Sequence, residues 1–188
     1  MSNKLRATFI FLAIMGLIGS IYLLVETNDA QISGNENSIK TVYIYADYIV
    51  DISNDRELAG VSHNIFVGEV IEQTGNLLVD DMPNTQFKVN VLNNIKGNLT
   101  GPVIVNQEGG YITTNDTQYL YLMENDKLLQ PGNTYLFATR ASEKGWHTAV
   151  PVYGDVLIKD ENDLREKTER FKTAYKNEIS VNEALQKE

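Results

Sequence analysis

The fold is decided by two stretches of sequence, IFVGEVIE at Ile65–Glu72 and QFKVNVL at Gln86–Leu92. In the second stretch apolar residues alternate with polar ones. This two-residue repeat predicts a β-strand with one face buried and one face exposed. The first stretch is rich in β-branched and aromatic residues, which favour strands. It also contains Gly68, and a glycine inside a strand often marks a bulge or a tight bend. Together the two stretches predict a curved sheet.

The chain repeats this pattern of short apolar runs separated by turn residues on both sides of these stretches. A short helical turn is expected at Asp55–Val61. Further strands are predicted at Thr41–Tyr45, Val103–Asn106, Thr134–Thr139, Thr148–Tyr153 and Asp155–Ile158. Five or six strands of this length can close into a small barrel, which removes exposed sheet edges. Residues 41–159 are therefore predicted to be mainly β, with a small five- to six-stranded barrel.

The last part of the chain, residues 160–188, changes to a helical period. One stripe of the predicted helix is formed by Leu164, Thr168, Phe171 and Tyr175. Asp160 precedes the stripe and is predicted to cap the N-terminus of the helix. We expect this helix to pack its apolar side chains, Tyr175 included, against the barrel.

Residues 7–25 form a run of nineteen residues without a charge. As a helix rising about 1.5 Å per residue, the run would span roughly 28 Å, close to the thickness of the hydrocarbon core. It is expected to be a transmembrane anchor that is retained or a signal segment that is removed, in which case the protein is secreted. Lys4 and Arg6 place residues 1–6 in the cytoplasm, so the remainder faces outward. The polar residues 26–40 then form a flexible linker.

Composition excludes several kinds of chemistry. The chain has 16 basic and 25 acidic side chains, a net charge of −9, and an acidic protein is a poor match for nucleic acid. It has no cysteine, which removes disulfides, thiolate metal sites and cysteine nucleophiles. Its two histidines argue against an all-histidine metal site. We therefore predict no cofactor, no metal and no nucleic-acid partner.

The most unusual local sequence is EGGY at residues 108–111, which opens an excursion over residues 107–130. Paired glycines permit positive φ angles or the close approach of a partner's backbone. Aromatic side chains on barrel loops suit sugar rings or peptides. The candidate binding residues are Glu108, Tyr111, Tyr119, Trp146 and His147. In the alternative interpretation the glycines only turn the chain, and the tyrosines pack the excursion onto the barrel.

Candidate catalytic groups are incomplete. Ser62 precedes His63, but neighbouring residues of an extended chain point apart, and no third group is evident. Acidic residues available for paired-carboxylate chemistry are Asp80 with Asp81, Glu69 with Glu72, and Glu108. The odd positions of a calcium loop are matched by Asp51, Ser53 and Asp55, but the loop's glycine and final acid are missing. The chain is therefore predicted not to be an enzyme.

Four segments occur in the order of a known superfamily. They are IFVGEV at 65–70, TQFKVNVLNNIKG at 85–97, VIVNQEGG at 103–110 and PGNTYLFA at 131–138. The series resembles the oligonucleotide/oligosaccharide-binding (OB) barrel of the netrin and tissue-inhibitor-of-metalloprotease-like superfamily, in particular versions secreted by or anchored on Gram-positive bacteria. The resemblance covers Asp55–Ile158 and implies an OB-like barrel. Animal inhibitors of this kind chelate a protease zinc through an amino-terminal cysteine, which this chain lacks, so that mechanism does not transfer.

These observations predict a non-enzymatic binding module of the cell envelope, held outside the membrane by one N-terminal helix. Its expected partner is a cell-envelope protein or polysaccharide, approached through the excursion and the Trp146 end of the last strands. Two alternatives remain open from the sequence. One is an envelope hydrolase that uses Glu108 or an acidic pair, and the other is an inhibitor of an extracellular protease.

Overall fold

The alternating segments form strands in the computed structural model, which describes residues 39–45 and 47–186. Within those residues the elements are β1 (Lys40–Ile44), α1 (Asp55–Val61), β2 (Asn64–Val79), β3 (Met82–Lys96), β4 (Pro102–Glu108), β5 (Gly110–Thr114), β6 (Thr117–Met123), β7 (Thr134–Ala141), β8 (His147–Ala149), β9 (Asp155–Leu157), α2 (Glu161–Lys176) and α3 (Val181–Ala184). A mainly β fold with a C-terminal helix is thereby confirmed.

The predicted membrane or signal segment at 7–25 and most of the predicted linker lie outside the described residues. None of the helices in the described part of the chain meets the length and hydropathy that crossing a membrane requires.

The main sheet has six strands in the order β2-β3-β4-β8-β7-β9, and β2 also pairs with β7. Alternation along β3 buries Phe87 and Val89 in the core, as the sequence predicts. The ladder between β2 and β3 shifts register at Gly68, which confirms the bulge expected there. A Cβ atom on Gly68 would lie 2.6 Å from Val89 Cγ1, so only glycine allows β3 to approach this closely.

The closed barrel predicted from the strand count is corrected by the structure. Pairing of β2 with β7 along Asn64–Glu69 curls the sheet strongly. The remaining seam, between β4 and β8, contains only two paired positions, Val105 with His147 and Asn106 with Thr148. Because β8 has three residues and β4 has seven, β8 is too short to seal the sheet along its length. The result is a curled sheet and not a closed barrel.

The second sheet is built by the excursion at 107–130, which forms the hairpin β5–β6 and pairs β6 with β1 in parallel. Gly109 and Gly110 carry the chain from the main sheet to this one, with φ angles of +117° and +151°. A Cβ atom on Gly110 would lie 2.6 Å from Thr85 Oγ1. The two glycines therefore supply the positive φ angles, and the close approach at Gly110 is that of Thr85 in the same chain.

The strand predicted at Thr148–Tyr153 is wrong after Ala149, because a tight turn replaces it. Tyr153 N–H donates to Pro151 O at 2.8 Å, and Val152 between them has a φ angle of +70°. This is a γ-turn of the rare, strained hand, centred on a β-branched residue. Gly154 then donates its N–H to Val150 O and accepts from Ala138 N–H. The turn shortens β8 and starts β9.

The C-terminal helix packs largely as predicted. The Asp160 side chain accepts from the N–H groups of Asn162 and Asp163, which confirms the cap. Phe171 is fully buried and joins the core around α1 and β7. Tyr175 is the exception, because it is 39% exposed and its ring faces Lys96 Nζ at 5.3 Å. Near the C-terminal end of the helix, Phe171 and Ala174 are therefore buried against the core, whereas Tyr175 is not.

The hairpin β5–β6 turns at Asn115 and Asp116, whose φ angles are +49° and +60°. Two positive φ angles are typical of the type I′ turn, in which glycine is preferred at the second position. We expect Asp116→Gly to raise the free energy of unfolding by about 0.5–1 kcal/mol and Asp116→Ala to lower it, because only glycine adopts positive φ without strain. Urea denaturation of the two variants beside the wild type measures both changes. Equal stability of the two would contradict the described turn.

Candidate functional site

Two of the predicted binding residues, Glu108 and Trp146, line one cleft of about 450 Å³. We call it the Glu108 cleft. Its floor is the outer face of β3, β4 and β8, and its walls are the tip of the β2–β3 hairpin and the loop between β7 and β8. Its lining includes Asp80, Asn84, Asn106, Glu108, Trp146 and Thr148.

Strand alternation explains why these residues meet. Along β4, Val105 points into the core, so Asn106 and Glu108 lie on the outer face or at its edge. Asn84 is paired with Glu108 across the ladder, and Thr148 is paired with Asn106. Paired residues share a face, so the floor of the cleft is polar and formed by three neighbouring strands.

Glu108 stands at the junction of two cavities. Together with Ser142 and Thr148, it also lines a larger cavity of about 730 Å³ that includes Tyr48 and Arg140. Burial raises the pKa of the Glu108 carboxyl. Among the described residues no side chain or backbone group hydrogen-bonds or ion-pairs with this carboxyl.

Trp146 forms the aromatic wall of the Glu108 cleft and is the only tryptophan in the sequence. Its side chain is partly exposed, and Lys144 Nζ lies 5.5 Å from the ring centroid. Lys144 and Trp146 belong to the turn that joins β7 to β8, where Ser142 N–H donates to Trp146 O at 2.8 Å. A partly exposed indole beside polar groups is a common recognition element in ligand sites.

His147 lies on the other side of the sheet from Trp146. It is the strand partner of Val105, and its Nδ1 lies 3.3 Å from Asn64 Nδ2. Burial, with a smaller contribution from nearby His63, lowers the pKa of His147. The structure therefore gives His147 a contact inside the fold and does not bring it to the Glu108 cleft.

Tyr111 and Tyr119 lie in the small sheet and do not line the Glu108 cleft. Tyr111 pairs with Leu120, whereas Tyr119 pairs with Ile112, so the two tyrosines point to opposite faces. Tyr111 is 38% exposed and shares its face with Tyr43, which is 57% exposed. Tyr119 lies on the other face, with Lys40 Nζ 5.9 Å from its ring centroid.

A half-buried acidic cluster that the sequence did not indicate lies under β4, around the buried side chain of Gln107. Gln107 Nε2 lies 2.9 Å from Asp155 Oδ2, 3.5 Å from Asp126 Oδ2 and 2.8 Å from Lys127 O. Gln107 Oε1 accepts from Leu129 N–H at 2.9 Å, which fixes the orientation of the amide. Three chain segments meet here, and no local spacing predicts their meeting.

Burial raises the pKa values of the acidic groups in and near this cluster. Burial, reinforced by Asp126, raises the pKa of Asp155 well above its usual range. Burial also raises the pKa of Asp126, against the hydrogen bonds that this carboxylate accepts. Burial, Glu108 and Asp126 together raise the pKa of Tyr48 to about 12. These groups are therefore held in low-dielectric surroundings that disfavour negative charge.

The other catalytic candidates have separate roles in the structure. Ser62 Oγ donates to Leu58 O at 2.7 Å, and His63 Nδ1 accepts from Ala141 N–H at 3.0 Å, so neither group activates the other. Asp80 and Asp81 form the turn of the β2–β3 hairpin, with φ angles of +50° and +64°. Within residues 39–45 and 47–186, no three metal-ligating side chains come close enough to hold an ion.

Comparison with protein-family models and with curated proteins found no match. No protein-family model matches the chain, and no curated protein matches it significantly. The resemblance to the netrin and tissue-inhibitor-like superfamily therefore stays an interpretation of the strand and glycine pattern.

Proposed function

We propose that this chain is a non-enzymatic binding module of the cell envelope, and that it binds its ligand in the Glu108 cleft. The observation that carries the proposal is the meeting of Glu108 and Trp146 in one cleft, although they lie far apart in the sequence. Glu108 contributes a carboxyl without a hydrogen-bond partner among the described residues, and Trp146 contributes a partly exposed aromatic ring beside the exposed Lys144. Clefts with a few convergent polar groups beside an aromatic wall are the usual form of ligand sites.

The proposal includes the location and the fold family. The uncharged run at 7–25 supports a single-pass anchor with residues 41–188 outside the cell, or secretion after its removal. The curling of the main sheet through the β2–β7 ladder supports an OB-like topology in which the seam between β4 and β8 is the weakest part. The partner we propose is an envelope polysaccharide or an envelope protein.

The binding role is tested with full-length protein in detergent micelles. The wild type should co-sediment with insoluble envelope material, and Trp146→Ala and Glu108→Ala should each reduce the bound fraction about tenfold, because each removes a direct contact. Tyr175→Ala is the matched control, since it removes an exposed aromatic ring from α2. Equal binding by all four proteins would show that the cleft is not the site.

A second candidate, an envelope hydrolase, is favoured by one observation. A carboxyl whose pKa is raised by burial is the kind of group that acts as a general acid in glycoside cleavage. A release assay on envelope polysaccharide distinguishes the two roles. Turnover by the wild type that is lost in Glu108→Gln would establish the hydrolase, whereas binding without turnover supports the module.

A further inference from the structure

The floor of the Glu108 cleft contains a buried hydrogen-bond acceptor that has no donor. Asn84 Nδ2 donates to Met82 O at 3.0 Å, which leaves Asn84 Oδ1 to face Asn106. Asn106 Nδ2 donates to that oxygen at 2.7 Å, so Asn106 Oδ1 is left over. This oxygen has no hydrogen-bond partner among the described residues, although Asn106 is only 2% exposed. Buried polar atoms are nearly always paired, and an exception in the floor of a cleft points to a ligand.

The Glu108 carboxyl is a second hydrogen-bond acceptor in this cleft, so it binds the same kind of group as Asn106 Oδ1. Glu108 lies two residues further along β4, on the same side of the strand, and its carboxyl is also without a partner among the described residues. Carboxylate and amide oxygens both accept hydrogen bonds, so a ligand that satisfies them has to carry several donors. Trp146 closes the cleft with an apolar ring face. The matching ligand therefore combines donors along its rim with an apolar face.

The backbone of the floor argues against a peptide that binds by strand addition. Strand addition requires a free row of N–H and C=O groups at a sheet edge. At the centre of the floor those groups are already used, because Asn106 is paired with Gln86 of β3 on one side and with Thr148 of β8 on the other. Recognition at the centre of the floor therefore has to come from side chains. The cleft offers two amides, two carboxylates, two hydroxyls, one ammonium group and one indole, beside the apolar side chains of Val79 and Met82.

We propose that the Glu108 cleft binds a pyranose ring of a glycan. The C–H face of the ring packs on Trp146, one donor of the sugar bonds Asn106 Oδ1, and a second donor bonds the Glu108 carboxyl. A pyranose with equatorial substituents has this shape, because its hydroxyl or acetamido groups lie at the rim and leave C–H groups on the face. The inference rests on the proposed binding function and names its ligand class.

Binding has to move side chains in the cleft. Asn106 Oδ1 is enclosed in the structure, so a donor reaches it only as neighbouring side chains give way. Lys144 is exposed and belongs to a tight turn, and it covers Trp146 through a cation–π contact at 5.5 Å. Displacement of Lys144 by a sugar ring changes the surroundings of the indole. Because Trp146 is the only tryptophan among ten tyrosines, tryptophan emission excited selectively at the red edge of its absorption reports on this cleft.

The test is a fluorescence titration of the full-length protein in detergent micelles with two tetrasaccharides, chitotetraose and cellotetraose. Both are chains of gluco-configured pyranoses with the same linkage, and they differ in carrying an acetamido or a hydroxyl group at C2. A saturable change with chitotetraose alone identifies the acetamido N–H as the donor to Asn106. A saturable change with both identifies a hydroxyl donor. No saturable change with either overturns the proposal.

Two variants connect binding to the floor of the cleft. We expect Asn106→Ala and Glu108→Ala each to weaken the binding of the effective tetrasaccharide about tenfold or more, and Tyr175→Ala to leave it unchanged. Asn106→Ala also removes the bond to Asn84, so its urea midpoint is measured alongside, and Glu108→Ala gives an independent readout. Unchanged affinity in both floor variants overturns the assignment of this cleft. If neither sugar binds while envelope material still co-sediments in a Trp146-dependent manner, the binding module stands and the glycan assignment fails.

Discussion

Replacing Gly154 by alanine is expected to lower the free energy of unfolding by about 3 kcal/mol or more, a large part of the stability of a domain of this size. A Cβ atom on Gly154 would lie 2.4 Å from Val150 N, 2.5 Å from Val150 O and 2.6 Å from Ala138 O. All three are backbone atoms and none can rotate away. The γ-turn at Val152 and the pairing of β7 with its neighbours would both have to shift.

Gly75→Ala is the matched control for this prediction. Gly75 lies in β2, and no heavy atom is within 4 Å of the position that its Cβ would take. We expect its free energy of unfolding to stay the same or to rise by about 0.5 kcal/mol, because alanine restricts the unfolded chain. Urea denaturation followed by Trp146 fluorescence measures both variants. If Gly154→Ala proved as stable as Gly75→Ala, the described path of the β8–β9 connection would be incorrect.

Asp155→Asn is expected to stabilise the protein at neutral pH and to have little effect at acid pH. The pKa of Asp155 is raised by folding, so the folded state holds its proton to a higher pH than the unfolded state does. The stabilisation that this proton provides is fully present at pH values below the pKa of Asp155 in the unfolded state. It is lost as the pH rises through the pKa of Asp155 in the folded state. The loss amounts to about 1.4 kcal/mol for each pH unit between those two values. Asparagine does not ionise, so the variant does not lose this stabilisation as the pH rises. Its Oδ1 can still accept the hydrogen bond from Gln107 Nε2.

The measurement is the difference in unfolding free energy between Asp155→Asn and wild type at several pH values from 3 to 8. We use the difference because His147 acts in the opposite direction. The pKa of His147 is lowered by folding, so its contribution is present above the unfolded pKa and is lost as the pH falls. The difference should grow from near zero at acid pH to a plateau. A flat difference would mean that Asp155 is not protonated in the fold.

Asp163→Asn is the control with the opposite sign. Lys167 and the backbone N–H of Lys159 hold the pKa of Asp163 below its usual value. The contribution of Asp163 is therefore present above its unfolded pKa and is lost as the pH falls through the folded pKa. Asparagine at this position should destabilise the protein at neutral pH. Two aspartates of one domain would then respond to the same substitution in opposite ways, because one is desolvated and the other is paired.

Local chemistry was sufficient to predict most elements of the fold. Alternation around Val89 identified β3, Gly68 identified the bulge, and Asp160 identified the start of α2. The end of β8 was not predictable in this way. It depends on a strained φ angle at Val152, a valine that local preference would place in an extended strand.

Long-range pairing explains why the candidate site was not predictable as a whole. The sequence indicated Glu108 and Trp146 separately, but only the ladder of Val105 with His147 and Asn106 with Thr148 brings β4 and β8 side by side. The same pairing separates His147 from Trp146, since neighbouring strand residues face opposite ways. Asn84 and Asn106 carried no signal of their own. An asparagine in a strand becomes conspicuous only when its neighbours are known and its unmatched oxygen can be seen.

The ladder between β2 and β7 has a consequence for biogenesis. It joins residues roughly seventy positions apart, from Asn64 with Thr139 to Glu69 with Thr134. Contacts of such high sequence separation slow folding, because a long segment must be immobilised before they form. At a synthesis rate of about 5–20 residues per second, β2 waits on the order of several seconds for this partner to be translated. During that interval the edge of β2 that later pairs with β7 presents unpaired N–H and C=O groups, and such edges are sites of aggregation in incompletely folded chains.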